Sequence, residues 1–296
     1  MSKKLKADLL LASCTLMWGV TFVVVKDALA DASVFAFLAL RFAIAALSLA
    51  VLYFRDLRTL TTGSLRAGAV MGCCMFAGYA FQTAGVKLTT PSKAAFITGF
   101  AVVLVPLFLG LFARRRISPW IWAGAFAALA GLYYITVPSS GLGDLNLGDL
   151  LVLCCAVPFA FHIIAIGHYA PRYSAGKLNL LQVMMTLLLL LLAGPLLVVA
   201  GRQPMRIVWS PRLLAAALLT GVLATAVAFS VQVWAQQHTS PSHAAIVFTL
   251  EPVFAALTSF IFLHERLGLR ALLGAVLILA GILLAEFKGP APAVAE

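Results

Sequence analysis

The sequence predicts an all-α integral membrane protein of ten transmembrane helices, arranged as two inverted-topology five-helix repeats. Three observations carry that prediction. Of 296 residues, 63% are hydrophobic and 10% charged, whereas a soluble domain is about one quarter charged. Ten apolar runs follow one another, each long enough to cross a hydrocarbon core of about 30 Å. The chain also matches itself at a fixed offset.

Mean hydropathy is +1.05. No water-soluble fold hides that much apolar surface, so the solvent is lipid. The net charge of +11 does not imply nucleic acid. The basic residues stand in short clusters between apolar runs and form no basic stripe with interleaved aromatics. Cys14, Cys73, Cys74, Cys154 and Cys155 all lie inside apolar runs with no CxxC and partner His, and so read as small buried hydrophobes. Neither a metal nor a cofactor is expected.

Charges, Pro and Gly delimit the runs in order: 7–29, 33–54, 65–86, 92–112, 118–137, 148–170, 179–201, 212–236, 241–263 and 268–287. The first run exceeds 20 residues and continues without an A-x-A-like site, so it reads as a span and not as a cleaved signal peptide. After Phe287 the Pro/Ala-rich tail KGPAPAVAE reads as disordered. The expected units are therefore 1–147, 148–287 and the tail 288–296.

Lys and Arg set the orientation. With the N-terminus inside, the first half places nine basic residues inside (Lys3, Lys4, Lys6, Arg55, Arg58, Arg66, Arg114, Arg115, Arg116) and three outside (Lys26, Lys87, Lys93). The second half reverses the bias, with Arg172, Lys177 and Lys288 inside against Arg202, Arg206, Arg212, Arg266 and Arg270 outside. Early helices usually dominate, which puts both termini in the cytoplasm.

The repeat appears when the chain slides by 150 residues. PSKAAFITGF from Pro91 falls on PSHAAIVFTL from Pro241, Gly124 meets Gly274, and Gly131 meets Gly281. Residues 91–135 and 241–285 share thirteen identities in forty-five positions. Gln82 falls on Gln232, and at a shift of 141 Asp8-Leu9-Leu10 falls on Asp149-Leu150-Leu151. A five-helix unit forces its second copy to enter the membrane from the opposite side. That arrangement recurs in secondary transporters, although duplication also builds channels and membrane enzymes.

Several stretches then acquire meaning together: LMWGVTFVVVK in the first span, LALRFAIAAL in the second, and LEPVFAALTSFIFLHERL followed by GAVLILAGILLA. In their order and spacing the chain resembles the EamA family of the drug/metabolite transporter superfamily over nearly its whole length. The resemblance implies a bacterial inner-membrane carrier, usually an exporter of amino acids, other metabolites or toxic compounds. It also implies a central cavity lined by helices one, three, four, six, eight and nine. Ala101 stands opposite Glu251 and Arg115 opposite Glu265, so the acidic signature belongs to the second half alone.

Polar groups at membrane depth each need a reason, since a charge at a helix centre costs about 2.5–3.5 kcal/mol on insertion scales. Glu251 is the one acid at mid-span, and Pro252 beside it should break the helix. It reads as a cation contact or a proton-coupling carboxyl, or else as a paired structural acid. Arg41 reads as an anion contact or a snorkelling side chain. His162 is a proton-carrying candidate or a hydrogen-bonded core residue. Gln82 and Gln232 occupy equivalent repeat positions and suit substrate binding or helix–helix bonding. Trp18, Tyr79, Phe96 and Trp234 could form an aromatic wall, although Trp and Tyr are common interfacial anchors. The paired glycines of the fifth and tenth spans, seven apart, should allow close packing.

The expected partners are a small organic solute, the lipid bilayer and protons as a coupling ion; a monomer and a homodimer both fit the pattern. A lipid-modifying enzyme would want paired carboxylates or a nucleophile with a base, which the isolated Glu251 does not supply. A channel or lipid flippase is the remaining alternative. No Walker A string occurs, so ATP is not the evident fuel.

Overall fold

The computed structural model describes residues 2–137, 139–143, 145–201, 205–254 and 268–288. Outside these residues lie Arg202, the ninth predicted span beyond Phe254, Glu265, Arg266 and the tail from residue 289 on.

Thirteen helices are described: α1 (Lys3–Gly19), α2 (Thr21–Ala28), α3 (Val34–Tyr53), α4 (Thr62–Leu88), α5 (Pro91–Thr98), α6 (Ala101–Leu111), α7 (Pro119–Thr136), α8 (Leu147–Tyr169), α9 (Ala175–Val199), α10 (Pro211–Leu218), α11 (Ala228–Ala235), α12 (Pro241–Phe248) and α13 (Leu269–Lys288). Helical residues resume at 251–254 after α12. Among the described residues there is no strand, only one antiparallel bridge between Ala32 and Ile207. Among the described residues seven runs are long and apolar enough to cross a membrane: α1–α2, α3, α4, α5–α6, α8, α9 and α10–α11. A shorter apolar helix covers 269–285.

The burial pattern is that of a protein dissolved in lipid. Leu47, Val51, Leu191, Leu192 and Leu196 are exposed, while Arg41, His162, Asn179, Gln182 and Gln232 are buried. Polar side chains gather inside because in hydrocarbon they must find partners from the protein itself.

Several predicted spans are interrupted, and one pair of interruptions obeys the repeat. α5 stops at Thr98 and α6 starts at Ala101; α12 stops at Phe248 and helix resumes at Glu251. Both breaks fall 150 residues apart. Pro252 lacks the N–H that would have bonded the Phe248 carbonyl, and the turn tightens, with Leu250 N–H donating to the Val247 carbonyl at 3.0 Å. The first-half break occurs without proline, over Gly99 and Phe100, with Val102 N–H donating to the Gly99 carbonyl at 3.0 Å. α5 and α12 begin alike as well. Thr90 and Ser240 cap them by accepting from the backbone N–H of Lys93 and His243, with Pro91 and Pro241 in the first turn. Two further interruptions were not foreseen: a turn at Val20 between α1 and α2, and a π-helical stretch, Leu219–Val227, between α10 and α11.

Contacts fix the sense of the halves. α1 and α2 carry the chain from the Asp8 end to the opposite end, where Lys26 donates to the Thr89 carbonyl at the close of α4. Asp149, in the first turn of α8, accepts from Thr89 and from Lys93 Nζ (3.3 Å), so α8 begins where α1–α2 finishes. α10 begins there too, since Ser210 and Arg212 hold Asp31. The α10–π–α11 run returns to the Asp8 end, where His243 Nε2 lies 3.1 Å from Asp8 Oδ1. Helices that correspond in sequence therefore run in opposite senses, which is the inverted topology.

Candidate functional site

Between the two ends lies a cavity of about 120 Å³, room for about ten water-sized groups. Both halves build it. The first half contributes Trp18, Arg41, Tyr79, Gln82 and Thr98; the second contributes Phe159, His162, Phe229, Gln232 and Glu251. The residues flanking both helix breaks, Gly99, Ala101 and Val102 on one side and Thr249, Glu251 and Pro252 on the other, face it as well.

The π stretch organises one wall. Its wider turn places Thr225 Oγ1 2.8 Å from the Thr220 carbonyl and leaves groups for other helices to use. Trp18 Nε1 donates to the Ala224 carbonyl (2.9 Å), Arg41 Nε to Thr225 Oγ1 (2.9 Å), and Asn179 Nδ2 to the Ala226 carbonyl (2.9 Å). Arg41 Nη2 also donates to Tyr79 Oη at 3.1 Å, and the guanidinium sits 4.4 Å from the Tyr79 ring centroid. A buried cation is thus held by neutral oxygens and an aromatic face. Among the described residues no carboxylate pairs with it.

The aromatic lining is continuous. Trp18 lies 5.3 Å from both Phe229 and Phe248, Tyr79 lies 5.4 Å from Phe159, and the His162 ring meets Phe229 edge-on at 5.6 Å. Gln82 Nε2 donates to Thr98 Oγ1 at 3.2 Å. His162 Nε2 pairs with Gln182 Oε1 at 2.8 Å, and Gln232 Nε2 donates to Gln236 Oε1 at 3.0 Å. Glu251 lines the cavity with no hydrogen-bond or ion-pair partner among the described residues.

Trp18, Arg41, Tyr79, Gln82, His162, Gln232 and Glu251 are thus brought to one cavity. Phe96 is not. It packs into a core with Leu132, Val137 and Val152, its ring 5.3 Å from Phe100 and 5.9 Å from Tyr133. Two residues separate it from the cavity-facing Thr98, a rotation of about 200° on a helix. Trp234 is also elsewhere, its ring tilted against His238 at 4.7 Å with Lys6 Nζ 5.2 Å from its centroid, near the Asp8 end. Sequence reading passed over Thr98, Phe159, Thr225, Phe229 and Phe248. The repeat held a signal for two of them: Phe229 stands 150 residues after Tyr79, and Phe159 stands 141 after Trp18.

An all-helical membrane protein whose two inverted halves enclose a polar-and-aromatic cavity belongs to the class of membrane transporters. The particular family follows from comparison. The EamA-like transporter family matches twice, over residues 5–137 and 146–287, and the chain belongs to that family. An uncharacterized transporter of Archaeoglobus fulgidus is 35% identical over 97% of this chain and 87% of its own length. The uncharacterized transporter YoaV of Bacillus subtilis is 25% identical over 95% of this chain and 97% of its own. A crystal structure at 19% identity shares the fold, with a TM-score of 0.76 over 96% of this chain and 98% of that one.

Proposed function

We propose that this protein is a secondary active carrier that exports small organic metabolites, such as amino acids and related compounds or drugs, by alternating access. It works in the cytoplasmic membrane with both termini inside, as two five-helix units over 1–147 and 148–287. One observation carries the reading: the two ends of the helix bundle are tied by repeat-equivalent polar pairs. Lys93 of the first half bonds Asp149 of the second, and His243 of the second bonds Asp8 of the first. Lys93 and His243 are equivalent positions, and so are Asp149 and Asp8. A pair at one end can open while its counterpart holds, which gives two related states around one site.

Within that cycle Arg41 draws the anionic part of a solute and Glu251 the cationic part or a coupling proton, while the aromatic rings take its apolar body. The exporter direction rests on the family resemblance. The test is counterflow in proteoliposomes, with labelled amino acids, nucleosides and cationic drugs chosen by a thermal-shift screen. Accelerated exchange of an intact solute supports the carrier. Flux without trans-acceleration indicates a channel, and a chemically altered solute an enzyme.

A further inference from the structure

Hydrogen bonds away from the cavity dictate the polarity of one of its walls. Gln236 Nε2 donates to the Ile163 carbonyl at 2.9 Å, and a carbonyl only accepts. Gln236 Oε1 is therefore left to accept, and it does so from Gln232 Nε2. The exchange of N and O in Gln232 would set two amide oxygens against each other. Gln232 Oε1 is thereby the outstanding atom: the residue is 1% exposed, lines the cavity, and its oxygen accepts from no donor among the described residues.

A second relay ends in the same way. Asn179 Nδ2 donates to the Ala226 carbonyl and to Ser230 Oγ (2.8 Å), which leaves Asn179 Oδ1 to accept from Gln182 Nε2 at 2.9 Å. Gln182 Oε1 then takes the proton of His162 Nε2, so the neutral imidazole keeps a lone pair on Nδ1. Gln82, the repeat counterpart of Gln232, has no such lock. Its partner Thr98 has a hydroxyl that both donates and accepts.

We infer that the Gln232–His162 wall is a subsite for a substrate N–H group, an ammonium of a primary or secondary amine, with Gln232 Oε1 and His162 Nδ1 as acceptors. Glu251 on the same cavity supplies a further acceptor, and Arg41 carries the donors. A buried acceptor without a donor is unfavourable, and an incoming N–H relieves that. A quaternary ammonium of the same charge brings no N–H and gains nothing from this wall. The subsite deepens the carrier reading, from which it takes only the notion that the occupant is cargo.

The experiment uses the purified full chain with 2-phenylethylamine and its N,N,N-trimethyl derivative, followed by thermal shift and by equilibrium binding. The amine is expected to bind at least tenfold more tightly than the trimethyl analogue, a difference typical of one hydrogen bond to a charged group. Gln232→Leu is expected to lose that preference. Gln232→Glu, which as a buried neutral acid can donate its O–H to Gln236 Oε1 and keep its other oxygen as an acceptor, is expected to retain it, and this separates recognition from packing. Equal binding of the two probes, no binding of the amine, or an undiminished preference in a folded Gln232→Leu protein would each overturn the subsite. Discrimination without counterflow would leave the subsite standing and remove the carrier. Counterflow without discrimination would do the reverse.

Discussion

Gly124 packs against the backbone of Gly281, so closely that a Cβ on Gly124 would lie 2.6 Å from the Gly281 carbonyl oxygen. Gly131 meets Gly274 in the same manner, at 2.5 Å. As numbers rise along α7 they fall along α13, so the two helices are antiparallel. The partners are also exchanged: Gly124 corresponds to Gly274 in the repeat but touches Gly281, the counterpart of Gly131. That reciprocity is the contact pattern of a two-fold axis, here realised within one chain.

Because backbone faces backbone at this crossing, no flexible side chain can move aside for a larger residue. Gly124→Leu should therefore force α7 and α13 apart, at a cost of about 1–3 kcal/mol. A lowered unfolding midpoint in detergent would register it. Gly110, where an added Cβ would meet nothing nearer than 3.8 Å, offers a control for general glycine effects. A wild-type midpoint for Gly124→Leu would mean that the crossing is looser than described.

The exchanged ion pairs should act separately. Asp149→Asn removes the charge that faces Lys93 and weakens the bonds from Thr89 and from the Asn146 N–H (3.0 Å) at one end only. In a background without native cysteines, a reporter cysteine at Ala95 on the cavity wall should then react faster with an impermeant thiol reagent from that side. A change on the order of tenfold matches a shift of about 1.4 kcal/mol between two states. Asp8→Asn should do the same from the other side. Equal effects of either variant on both sides would contradict separate ends.

How far the sequence carried can be judged at particular residues. The spans followed from apolar length, because lipid demands helices that satisfy their own backbones; predicted 33–54 and 212–236 became Val34–Tyr53 and Pro211–Ala235. The break at Glu251 was legible because proline announces itself. Its partner at Gly99–Phe100 was not, since nothing local forbids helix there; projecting Pro252 back by 150 residues would have found it. Arg41, Gln82, His162, Gln232 and Glu251 stood out because polar groups are costly at depth. Phe229 and Phe159 did not stand out locally, because one more Phe in an apolar run carries no signal about facing; only their repeat counterparts Tyr79 and Trp18 pointed to them. Phe96 was misplaced for the same reason. The π stretch depends on Trp18, Arg41 and Asn179 reaching in from other helices, and so it had no local signature.

Outside the spans, Asp31 supplies a pH-dependent tether. Arg212 donates to it from Nε (3.0 Å) and Nη2 (2.7 Å), and Ser210 from Oγ (2.6 Å). The Arg212 hydrogen bond, with that from Ser210, holds the carboxyl below its usual range. A lowered folded-state pKa means stability that is present above the unfolded value of about 3.9 and lost as pH falls through the folded value. Asp31→Asn should thus melt below wild type at pH 7, with the gap closing on acidification below about pH 4. A gap of constant size across that range would show that the carboxyl's charge is not what stabilises the tether.

Glu251 stands alone, an acid on the cavity wall at the resumption of a broken helix, with no partner among the described residues. A structural acid would have recruited a donor, because an unpaired carboxylate in a lipid-embedded core is costly. In the carrier proposed above its use would be to take up charge from solution, as a proton or as the cation of a solute. Glu251→Gln keeps the shape and removes the charge, and the two uses then separate. If the carboxyl couples protons, gradient-driven uptake into proteoliposomes should fall to background while solute exchange persists within about threefold, since a neutral amide still offers a hydrogen-bond acceptor. If it binds the solute's cation directly, exchange and binding should weaken together by tenfold or more, about the strength of a hydrogen bond to a charged group. An unaltered response to the pH gradient, with exchange intact, would leave Glu251 with neither role and move the search for the coupling group to His162.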